Sequence, residues 1–115
     1  MIKLDLKREP YWLDLPFGVS IRVKPATTAI VMAARVQTMK EAADADDTAI
    51  RTSLLLKNLA VLVIEAWEGI GDDAGNLAAV TPQAVKAFMD LWPIANAFEE
   101  LYLTPALTLE AEKNG

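Results

Sequence analysis

The chain has no cysteine and no histidine among its 115 residues. Disulfides, thiol nucleophiles, zinc sites built from Cys or His, and Ser-His triads are excluded together. The GxxxxGK[ST] phosphate loop is also missing. No apolar run reaches the roughly 20 residues needed to span a bilayer. The greasiest stretch, Leu54 to Trp67, is interrupted by Lys57 and Glu65. The opening MIKLDLKREP has no apolar centre of signal-peptide length, so export is not expected and a cytoplasmic location is. Basic residues are few and scattered, 11 against 16 acids, for a net charge of −5. That balance repels a phosphate backbone, so binding to nucleic acid is not expected.

What the chain does have is apolar surface. Hydrophobic residues make up 53% of it and the mean hydropathy is +0.23. A single domain of this length buries one core, and too little polar surface remains to cover the rest. A homo-oligomer or a partner-binding face is therefore expected.

The N-terminal quarter reads as β structure. Tyr11 to Leu15 is strand-like, Pro16-Phe17-Gly18 supplies a turn, and VSIRVK alternates apolar and polar residues. Val19, Ile21 and Val23 would face a core, with Ser20, Arg22 and Lys24 facing water. The leading KLDLK is a candidate third, edge strand. Beyond Pro25 the pattern turns helical. Thr27 or Thr28 caps a helix to about Ala43, in which Ile30, Val31, Ala34, Val36 and Met39 are only loosely periodic. DADD, Asp44 to Asp47, breaks it and gives the next helix an acidic start. That second helix is expected over Thr48 to Glu68. It is apolar nearly all round, with Lys57, Asn58, Glu65 and Glu68 as a narrow polar stripe. Such a helix is central to its domain or buried in a protein contact. Thr81-Pro82 starts a third helix, to about Leu91. A fourth runs from Ile94 to Leu103, with Ile94, Ala97, Phe98 and Leu101 on one face, until Pro105 breaks or kinks it before a last short segment, Ala106 to Lys113. The expected fold is one α+β domain spanning 1–115: an N-terminal hairpin over 1–25 packed on three to four helices within 26–115.

Candidate chemistry is sparse. Gly71-Asp72-Asp73-Ala74-Gly75-Asn76 resembles an ion loop at first sight. A calcium loop alternates its oxygen ligands and ends in a bidentate glutamate; here the aspartates are adjacent and no acid follows before Asp90. A tight reversal with Gly75 or Asn76 at positive φ fits better. Glu65 and Glu68, three apart, would share a helix face and suit an exposed stripe; Glu99 and Glu100 form a second acidic pair. Neither pair marks a cleft. No catalytic residue, metal or cofactor is expected. Aromatic and leucine side chains are either core anchors or contact hot spots. Tyr11-Trp12 and Trp92-Pro93, at element ends, are the first contact candidates, followed by Leu55, Leu59, Trp67 and Tyr102.

The hairpin YWLDLPFGVSIRVKPATTA resembles the N-terminal signature of small tail assembly chaperones of long-tailed, non-contractile phages and prophages. WEGIGDDAGN, VTPQAV, WPIANAF, YLTPAL and the final EAEKNG are similar to the same group, so the resemblance covers most of the chain. It implies a non-enzymatic role: coating the long, hydrophobic, helical tape measure protein, keeping it soluble, and helping to bring tail tube subunits to it. Such proteins act in the bacterial cytoplasm and are missing from the finished virion. In many members a programmed frameshift appends a C-terminal extension that contacts the tube protein. Here Glu112-Lys113-Asn114 permits the codons GAA AAA AAC, which contain the slippery heptamer A AAA AAC. The alternative for a chain of this size is a head–tail connector or tail completion protein of the virion.

Overall fold

The computed structural model describes residues 9–43 and 47–106. Within them the fold is α+β, with a three-stranded antiparallel sheet and four α-helices. Strands β1 (Tyr11–Leu15) and β2 (Val19–Val23) form the expected hairpin across Pro16–Gly18, with Leu15 paired to Val19 and Tyr11 to Val23. The alternation in β2 is as read: Val19, Ile21 and Val23 are buried, while Arg22 and Lys24 are exposed.

Helix α1 (Thr28–Glu41) is capped by Thr27, whose hydroxyl accepts from the Ile30 amide at 3.2 Å. Asp47 caps α2 (Thr48–Val63), accepting from the Ala49 amide at 2.8 Å. Thr81 caps α3 (Pro82–Met89) in the same way, with proline in its first turn. Each cap satisfies an amide that the first helical turn leaves without a partner.

Three expectations are corrected. Helix α2 stops at Val63, not Glu68, and the chain passes without a loop into a third strand, β3 (Ile64–Glu68), which pairs with β2. Val61, Val63 and Ile64 are β-branched and comfortable in either state. The free edge of β2 decides, because the ladder satisfies backbone groups that a longer helix would leave unpaired on β2. The third strand thus comes from this segment; KLDLK lies outside the described residues. A bulge between Arg22 and Val23 sets Glu65 and Ala66 against Arg22, so Ile64 and Trp67 both reach the core despite their odd spacing.

Asn58 is the second correction. It is buried between α1 and α2, where its amide donates to Thr38 Oγ1 at 3.1 Å and Glu41 Oε1 at 2.7 Å. A satisfied polar network of this kind fixes how the two helices sit on one another.

The third concerns α4 (Trp92–Phe98), which runs on as a π-helical turn over Glu99–Leu103. The wider turn, with the Thr104 amide donating to Glu99 O, carries Tyr102 and Leu103 into the core and leaves Leu101 exposed. Helical backbone resumes over 104–106, through Pro105. A π-turn beside a proline is an ordinary way to absorb the missing amide and the ring. The segment expected from Ala106 to Lys113 lies outside the described residues beyond position 106, as does Asp44–Asp46 of the DADD break.

The core sits between the inner face of the sheet, α2, α3 and α4. Helix α2 packs against both α1 and α3, which makes it the central helix of the domain. The molecule measures 50 × 37 × 21 Å, a flat and elongated body.

Candidate partner-binding surface

The seven residues read as contact candidates divide by burial. Leu59, Trp67 and Tyr102 are buried. Trp67 donates its indole N–H to Ala78 O at 2.8 Å and meets Phe88 edge to face at 5.6 Å. Tyr102 stacks on Phe98 at 5.1 Å and donates its hydroxyl to Lys24 O at 2.8 Å. These three are accounted for by packing within the chain, which leaves the other four as the candidates at the surface. Leu55 is half-buried at the mouth of a groove, and Tyr11, Trp12 and Trp92 are exposed.

Tyr11 and Tyr102 come together although they lie far apart in sequence. Burial raises the pKa of both phenols, and the nearby Tyr11 raises that of Tyr102 further. The fold therefore holds both neutral. Stability from a raised pKa is fully present below the unfolded value of about 10 and is lost as pH rises above it. A melting series from about pH 9 to pH 11 should fall more steeply for the wild type than for Tyr102→Phe. Equal slopes would show that this phenol is not the group responsible. At neutral pH the same variant should lose about 1–2 kcal/mol, because Lys24 O is left without its donor.

Among the exposed large apolar side chains of the described residues, which also include Phe17, Ile50, Leu62, Leu77 and Leu101, three groups bear on contact. The outer face of the sheet carries Trp12, 46% exposed, opposite Arg22. Arg22 Nε pairs with Glu65 Oε1 at 3.0 Å, and Ser20 donates to Asp14 at 3.0 Å. The ring thus sits among polar groups that are already matched to one another, the usual setting of an aromatic anchor with a polar rim. Leu91 and Trp92 form a second feature at the α3–α4 corner, where Trp92 is 72% exposed. The third is the outer side of α1, where Met32, Val36 and Met39 are exposed. The sequence pattern gave Val36 and Met39 but not Met32, which completes the spacing of four and three, nor that the three face outward. The helix looked loosely periodic because it is apolar on two sides, inward through Ile30 and Ala34 and outward through the stripe.

The acidic loop is a reversal. Asp72 accepts from the Ala74 and Asn76 amides, both at 2.9 Å, and Gly75 takes φ +83°. Its carboxylate is occupied by the backbone it organises. Glu65 and Glu68 lie on β3 rather than on a helix face, Glu65 at the bulge with Arg22 and Glu68 opposite Ser20. Lys57, on α2, pairs with Asp90. Among the described residues no group of three or more His, Cys, Asp or Glu could hold a metal, and no helix is long and apolar enough to cross a membrane. Compared with known proteins, the chain matches no family model, no curated protein and no solved structure.

Proposed function

We propose that this chain is a non-enzymatic phage tail assembly chaperone, which coats the hydrophobic helical tape measure protein and helps bring tail tube subunits to it. The observation that carries the reading is the spread of exposed large apolar side chains over separate parts of a flat body: Trp12 on the sheet, Met39 on α1, Trp92 at the α3–α4 corner. A chaperone that must later leave its client needs several weak contacts rather than one tight one. Several together supply avidity, and each is released separately. The resemblance of the hairpin and of the WEGIGDDAGN and WPIANAF segments to such chaperones points the same way. Self-association through one of these surfaces and action in the host cytoplasm belong to the same reading, as does recruitment of the tube protein by a frameshifted extension.

Co-expression with the tape measure protein tests it. The soluble fraction of that protein should rise severalfold and the two should co-purify; no gain and no co-purification would sink the proposal. Particle composition separates the alternative, since a connector is present in purified virions at fixed copy number and a chaperone is missing from them.

A further inference from the structure

We propose that the outer face of α1 seats an amphipathic helix of another protein that carries a carboxylate within its apolar stripe. Met32, Val36 and Met39 lie at i, i+4 and i+7, one above another on a single face. They are 49%, 48% and 71% exposed, while α1 turns Ala34 and Thr38 inward. The outer three therefore contribute little to this chain's own core, and a stripe of this width is the surface a helical ligand uses.

Charge says what kind of helix. Arg35 shares the face, three residues from Met32 and four from Met39, and has no ion-pair partner among the described residues. Arg35 and Lys40 are the cations of α1, and its one acid, Glu41, is engaged by Asn58. In a chain of net charge −5 this is a locally cationic face. Beside it runs a groove of about 250 Å³, whose lining includes Arg35, Met39 and Leu55 and leads from the stripe to α2. Apolar side chains of an incoming helix fill the groove, and an acid among them meets Arg35.

A second copy of the chain fits poorly. The stripe is centred on Arg35 and Val36, so a two-fold contact across it sets one Arg35 guanidinium against the other. Phosphate backbones fit no better, since the cations stand among methionine and valine. This assignment names the client face of the chaperone proposed above and depends on that reading only for the identity of the client.

The test uses the full chain and two labelled synthetic helices of about 20 residues, long enough to be helical alone. They share one leucine stripe and differ in one position within it, Glu or Lys. By fluorescence anisotropy the Glu peptide should bind about fivefold tighter than the Lys peptide. Arg35→Glu should invert that preference, and Met39→Asp should weaken both peptides about tenfold or more. Asp73→Asn, in the exposed acidic reversal, should change neither. Circular dichroism and melting of each variant verify the fold. Failure of both peptides to bind, equal affinities, or a preference unchanged in Arg35→Glu would overturn the inference. So would sedimentation showing that Met39→Asp dissociates a wild-type oligomer, which would give the face to a second copy. Peptide discrimination together with failed co-purification of the tape measure protein leaves the face standing and removes the functional reading.

Discussion

Replacing Trp67 with alanine is expected to remove about 3–5 kcal/mol of stability. Trp67 is buried where three parts of the chain meet: its own strand β3, the loop carbonyl of Ala78, and Phe88 of α3. Deleting the indole leaves a cavity that the sheet and α3 cannot close without moving. It also strands the Ala78 carbonyl. Since domains of this size hold about 5–15 kcal/mol in all, the variant should be marginal at 37 °C. Urea unfolding gives the number as a shift in midpoint at unchanged slope. Trp67→Phe keeps most of the ring and loses the N–H, so it should cost about 1–2 kcal/mol. A loss below about 1 kcal/mol in the alanine variant would mean that β3 is not anchored to the core through this side chain.

The second large effect is expected from one hydrogen replaced by a methyl group. Gly69 follows β3 with φ +84°, and a Cβ built there would lie 2.5 Å from Gly18 O and 3.3 Å from the Val19 Cα. Both obstacles are backbone, at the point where the β1–β2 hairpin turns. Gly69→Ala therefore combines the left-handed penalty of about 1–2 kcal/mol with overpacking of about 1–3 kcal/mol. Gly18 serves as its control: φ is +70°, but nothing lies within 4 Å of its Cβ position. Gly18→Ala should cost only the first part. Equal losses at the two positions would show that the close approach of Gly69 to the hairpin tip is unimportant.

These two positions show how differently the fold was legible along the chain. Gly75 could be read as the residue of positive φ from its Asp-Asp-Ala-Gly-Asn neighbourhood, and it is. Gly69, in WEGIG, carries no such local sign, because its need arises from Gly18, fifty-one residues earlier in the chain. Trp92, flanked by Leu91 and Pro93, looks more apolar in sequence than Trp67, flanked by Ala66 and Glu68, yet Trp67 is the one that is buried.

The residues by themselves determined the elements whose causes lie within a few positions. The alternation of VSIRV set the face of β2. Thr27, Asp47 and Thr81 set three helix starts, because each side chain reaches an amide two or three residues on. An α+β class followed from those signals. Tertiary structure alone decided where α2 ends, since a β-branched run ending in IEAWE suits helix or strand until the edge of β2 is present to pair with it. It decided that Asn58 is buried, because only α1 supplies Thr38 and Glu41. And it decided which apolar residues are spare. Met32, Val36 and Met39 are as hydrophobic as any core stripe, and the inner face of α1, closed on α2, leaves them outside. Burial is a property of what comes opposite, and the partner across a contact is not written beside a residue in the chain.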